Sequence, residues 1–115
     1  VNKTIKKKWI AALRSGKYLQ GRTVLRRESL DGKDHFCCLG VLADVIGCDW
    51  KQYGFDPIHR MAIFSKTKEQ DACAIPPKIA KQIGLSKKVQ NTLVRYNDVD
   101  NKSFEEIAKY IERYL

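Results

Sequence analysis

The sequence predicts an α+β domain covering residues 1–115, with helices packed on a small antiparallel sheet. Three observations carry this expectation. From Phe36 to Ala43 no side chain is charged and only Gly40 lacks apolar bulk, so the run has to be covered on nearly all sides. Just before it, Arg22–Glu28 and Asp34–Cys37 read as strands joined through Asp31-Gly32, a strong hairpin signal. On both flanks, apolar residues recur at helical spacing behind residues suited to capping. A chain of 115 residues that is 43% hydrophobic can build one core without disulfide or metal support.

The elements follow in order. Thr4 is placed to cap an N-terminal helix that runs to Ser15, with Ile5, Trp9, Ala12 and Leu13 on its apolar face. Gly16 is free to end it in a left-handed conformation. Tyr18–Gly21 reads as a loop, and the hairpin comes next. Cys38–Ile46 is too long and too rich in Leu and Ala to remain a strand, so it becomes a buried central helix stopped by Gly47. Residues 48–75 are the least regular part. They hold turn signals at Tyr53-Gly54 and Asp56-Pro57, a short strand over His59–Phe64 that could join the hairpin, and a polar loop tip over Lys66–Asp71. Pro76-Pro77 opens a helix that Gly84 closes, and Ser86 caps another with Val89, Leu93 and Tyr96 facing inward. Asn97–Lys102 is a turn of Asx-type residues. Ser103-Phe-Glu-Glu106 is a capping box, which starts a last helix that buries Phe104, Ile107, Ala108, Ile111 and Leu115 and sets Glu105 four residues before Lys109.

Charge is distributed unevenly. The net charge is +9, and residues 1–27 hold nine Lys or Arg while every one of the thirteen acids lies beyond them. Lys3, Lys6, Lys7 and Lys8 crowd the start of the first helix, where the helix dipole favours acids, so they serve something other than helix stability. A cationic front on a balanced domain attracts polyanions such as nucleic acid, nucleotides or acidic protein faces. Arg forks grip phosphate and aromatic rings stack on bases. Arg14, Lys17, Tyr18, Gln20, Arg22, Arg26 and Arg27 are therefore the candidate ligand-binding residues of this region. Trp9 belongs to the apolar stripe. No segment approaches the ~20 apolar residues of a membrane span, so no membrane partner is expected.

Other chemistries have weaker support. Helix-turn-helix DNA reading needs a basic recognition helix, and the last helix exposes Glu105, Glu106 and Glu112. His35, Cys37, Cys38, Cys48, His59 and Cys73 lack the repeated Cys-x(2–4)-Cys spacing of a structural zinc site, so neither metal nor cofactor is expected. Adjacent Cys37 and Cys38 are poorly placed to bridge each other, and the cysteines read as reduced, mostly buried thiols of a cytoplasmic protein. Catalysis has one candidate pair, Cys37 as nucleophile with His35 as base, since two residues apart on a strand they share a face.

Three blocks together resemble a widespread set of small phage and prophage proteins. They are Trp9-Ile-Ala-Ala-Leu-Arg-Ser-Gly-Lys-Tyr-Leu-Gln20, Phe36-Cys-Cys-Leu-Gly-Val-Leu-Ala-Asp44, and Tyr96-Asn-Asp with Ser103-Phe-Glu-Glu-Ile-Ala-Lys-Tyr-Ile-Glu112. The resemblance implies a viral protein in the host cytoplasm and assigns no catalytic residues. It also implies that Arg14, Lys17, Tyr18, Gln20, Asn97 and Asp98 converge on one site. The expected function is a non-catalytic accessory or counter-defence protein that binds a nucleotide signal or nucleic-acid phosphate. The alternative is an inhibitor docking on an acidic host enzyme, and a Cys/His enzyme ranks third. Self-association is left open.

Overall fold

The computed structural model describes residues 1–53, 56–64 and 70–115. In chain order these form α1 (Lys3–Arg14), β1 (Leu19–Gln20), β2 (Arg26–Glu28), β3 (Asp34–Phe36), α2 (Cys38–Val45), β4 (Asp49–Tyr53), β5 (Asp56–Ile63), β6 (Gln70–Asp71), α3 (Pro77–Ile83), α4 (Lys87–Asp98) and α5 (Phe104–Tyr114). The architecture is α+β. The strands are ordered β1-β3-β2-β5-β4, with β6 beside β5. The sheet is mixed rather than purely antiparallel, because Leu19 and Gln20 run parallel to His35 and Phe36.

The apolar run lies at the centre as expected. Every residue of α2 from Cys38 to Ala43 is buried. Cys37 caps the helix, its Sγ accepting from the Gly40 amide at 3.4 Å, and Gly47 turns left-handed at φ 83° beyond its end. The Leu25 carbonyl accepts from Cys37 N at 3.2 Å, and α2 begins against this backbone. A Cβ on Gly40 would sit 1.7 Å from that same oxygen, so only glycine permits the approach. Around α2, helices α1, α4 and α5 supply Trp9, Leu93, Ile107 and Ile111, all fully buried. Trp9 donates its indole N–H to the Cys38 carbonyl at 3.0 Å, which satisfies the polar tip of a ring that is 0% exposed.

Several local expectations give way to tertiary partners. Asn2, rather than Thr4, caps α1: its Oδ1 accepts from Thr4 N and Ile5 N, and its own amide is held by the Ile83 carbonyl at 2.9 Å. The loop expected over Tyr18–Gly21 contains β1, because β3 offers it a free edge. The strand expected from Arg22 begins only at Arg26, since Thr23 adopts φ 77° and the chain turns Val24 and Leu25 into the core. Residues 49–53 form a strand that alternation did not reveal. The strand expected at His59 extends back to Asp56, across the expected Asp56-Pro57 turn. As anticipated, β5 joins the hairpin, pairing Arg60 with Arg26 and His59 with Arg27. The Asx turn starts later than expected, because α4 continues through Asn97 to Asp98. The Tyr53-Gly54 turn and the loop tip over residues 66–71 lie wholly or partly outside the described residues. The α5 capping box is formed, with both reciprocal bonds present.

Candidate functional site

Asn97 and Asp98 stand at a polar knot. Asn97 is 0% exposed, and its carboxamide is saturated. Oδ1 accepts from Gln20 Nε2 at 2.9 Å and from Cys38 N at 3.3 Å, while Nδ2 donates to the Gly21 carbonyl and to Asp98 Oδ1, both at 2.8 Å. Gln20 donates further to the Lys102 carbonyl at 2.8 Å, and Asp98 accepts from Thr23 N at 3.0 Å. Three stretches distant in sequence meet there: β1 with its exit, the α2 N-terminus, and the end of α4 with the turn into α5. Gln20, Asn97 and Asp98 do converge, and what they hold is the protein's own backbone.

A second cluster surrounds Arg26 on one sheet face. Its guanidinium pairs with Asp34 and lies over the rings of Phe36 and Trp50, 5.1 and 5.4 Å from their centroids. Arg60 Nη2 approaches Glu28 at 3.5 Å, and Arg60 Nε lies 3.9 Å from Asp34. Tyr18 packs edge-on against Phe36 and donates its hydroxyl to Asp44 Oδ2 at 2.5 Å, and Trp50 donates to Asp44 Oδ1 at 3.0 Å. Partial burial, with Asp44 alongside, pushes the Tyr18 phenol up to about 12. Asp34, Asp44, Trp50 and Arg60 were not anticipated. Alternation does place Asp34 and Phe36 on one face, but cross-strand register was needed to find Arg26 opposite them.

Arg14 is also taken into the fold. Its Nε meets Glu105 at 3.1 Å and its Nη1 meets Glu112 at 3.0 Å, which ties α1 to α5. Hydrogen bonding to Glu112 is the main reason its guanidinium is held above the ordinary value. Glu105, expected to answer Lys109, thus answers a cation on another helix. Three of the nine sequence-derived binding candidates remain available. Lys17 and Arg22 are exposed, and Arg27 is half-buried on the opposite sheet face, in direct register between His59 and His35. The outer side of α1 adds exposed Lys3, Lys7 and Lys8. Among the described residues, none of Lys3, Lys7, Lys8, Lys17 and Arg22 has an acidic partner within 4 Å.

Cys37 and His35, the candidate catalytic pair, each bond to other groups and not to one another among the described residues. Cys37 is buried at the helix cap, and burial pushes its thiol up to about 12, which keeps it neutral. His35 Nδ1 instead faces Ser29 Oγ at 2.9 Å and the Lys33 carbonyl at 3.1 Å. All four cysteines are free thiols, with Cys73 exposed. Among the described residues, no group of three or more His, Cys, Asp or Glu side chains could hold a metal ion, and no helix is long and apolar enough to cross a membrane.

A family model described as a domain of unknown function, DUF8296, matches residues 1–115. No curated protein and no solved structure matches the chain.

Proposed function

Since the chain belongs to the DUF8296 family, a domain of unknown function, we propose its role from its own surface: it binds nucleic-acid phosphates without catalysis, through its exposed N-terminal cations. One observation carries the reading. Folding engages Arg14 and Arg26 in ion pairs with the protein's own acids and leaves Lys3, Lys7, Lys8, Lys17 and Arg22 exposed without acidic partners among the described residues. Lys3, Lys7 and Lys8 occupy roughly 8 Å of α1 and Lys17 follows its C-terminal end, so the cations are spread over about the 18 Å length of the helix. That length suits successive backbone phosphates better than the single phosphate cluster of a nucleotide. The capped, neutral thiol of Cys37 supports a non-catalytic role. The motif resemblance to small phage and prophage proteins supports the rest of the proposal, an accessory or counter-defence protein acting in the host cytoplasm.

The test is fluorescence anisotropy with a labelled duplex and a labelled single strand between 50 and 200 mM salt (about the range over which phosphate contacts weaken steeply). Five engaged cations predict a log–log salt slope of roughly −3 to −5. The triple variant Lys7→Glu, Lys17→Glu, Arg22→Glu should bind at least about tenfold more weakly while melting like the parent. A flat salt response, or undiminished binding by a folded triple variant, removes the proposal. Should the parent bind neither strand yet retain an acidic host protein through purification, the inhibitor reading replaces it.

A further inference from the structure

A second site lies on other elements, independent of the cationic surface. Between α3, α4 and the segment over residues 71–75 is a cleft of about 620 Å³, a volume that accommodates a small organic molecule. Its walls are mainly apolar, with Leu39, Ile75, Ala80, Leu85 and Val94 among them. The informative residue is Gln90, which lines the cleft although only 7% of it is exposed. Its Oε1 accepts from the Ile75 amide at 3.1 Å, and because a backbone N–H can only donate, this bond fixes the orientation of the carboxamide. The Nε2 group is therefore the free end, and among the described residues it has no acceptor. The Nε2 end opens onto the cleft, where its two donors are available to an acceptor that enters it.

The charge around the cleft specifies that acceptor further. Lys87 lies three residues before Gln90, on the same face of α4, and Lys81 comes from α3. Neither has an acidic partner within 4 Å among the described residues. The single lining acid, Asp71, has its Oδ1 occupied by the amides of Cys73 at 2.7 Å and Ala74 at 3.1 Å. The lining thus combines an apolar body, a donor fixed in direction and a net positive charge.

We infer that this cleft binds a small amphiphilic carboxylate. The ligand's hydrocarbon or aromatic body packs on Leu39, Ile75, Ala80 and Val94. One carboxylate oxygen accepts from Gln90 Nε2, and Lys87 and Lys81 balance the charge.

Octanoate, octylammonium and acetate serve as probes on the full chain, read by titration calorimetry and by the side-chain amide resonances of Gln90. Octanoate is expected to bind and to shift those resonances, whereas octylammonium and acetate are not. Gln90→Glu keeps an acceptor for the Ile75 amide but replaces the free donor with a carboxylate oxygen, and should weaken octanoate at least tenfold. Ala74→Phe fills the cleft and should abolish binding, with a circular dichroism melt confirming that each variant is folded. Equal binding of octylammonium and octanoate overturns the inference. So does octanoate binding that survives unchanged in a folded Gln90→Glu protein, or a parent protein that takes up no octanoate at all.

Discussion

Asn97 shows how a single side chain can decide the arrangement of several segments. Its carboxamide uses both lone-pair directions and both N–H groups inside the protein, and two of its four partners, Cys38 N and the Gly21 carbonyl, are backbone groups. Removing the amide leaves those partners unsatisfied in a dry interior, at ~1–3 kcal/mol for each buried group that water cannot reach. Asn97→Ala is therefore expected to lose about 3 kcal/mol or more, measured by urea denaturation. Asp98→Ala, at a half-exposed position on the knot's edge, removes the acceptor shared by Thr23 N and Asn97 Nδ2 where water can replace it, and should cost less. If the two variants melt alike, the knot is not what joins α4 to the β1 exit. The polarity of both residues was visible in the sequence. Their burial was not, because a turn-favouring Asn-Asp-x-Asp-Asn run reads as surface until a neighbouring backbone supplies its partners.

Among the elements, α2 and its entry determine most of the packing. The helix fits because Gly40 presents no side chain to the Leu25 carbonyl and Cys37 caps the turn before it. Gly40→Ala adds one methyl group where there is no space, against backbone that cannot rotate away. The variant should lose several kcal/mol, on the order of 3 or more, and fail to give a cooperative melt at 37 °C. A Gly47→Ala control meets open space and bears only the strain of a left-handed φ, so it should lose about 1 kcal/mol. Comparable stability of the two variants would show that the close approach at Gly40 is not a constraint. The existence of α2, α3, α4 and α5 was legible from periodicity and caps, although α4 runs on through Asn97 and Asp98, which read as turn. The strands were less so: β1 and β6 have two residues each and exist through their neighbours in the sheet.

Across the whole molecule, burial controls protonation as well as packing. Burial pushes the thiols of Cys37 and Cys48 up to about 12, raises Cys38 well above its ordinary value, and pushes the Tyr18 phenol up to about 12. In the unfolded chain these groups ionise near 9 for the thiols and 10 for the phenol. The folded state thus retains protons that the unfolded state releases, and its advantage is complete below pH 9 and is lost as pH rises towards 12. The urea midpoint should fall steadily between about pH 9 and 11, and Tyr18→Phe should reduce the slope. A midpoint unchanged over that interval would mean that these groups meet the same surroundings folded and unfolded.

The α+β class, the buried central helix, the C-terminal helices with their caps, and the concentration of positive charge in the first 27 residues can all be read from the order of residues. These are properties of composition and of short-range periodicity, which the local chain carries unaided. Which polar side chains pair within the protein and which stay without a partner is a property of the packed fold. The fold drew Arg14 to Glu105 and Glu112, Arg26 to Asp34, and Asn97 into the interior, and it left Lys17 and Arg22 exposed. It also set Gln90 beside a cleft with its donors unused. The physical reason is that a hydrogen bond or ion pair depends on distance and direction between groups far apart in sequence, so a polar residue's role follows from the partner that packing brings to it.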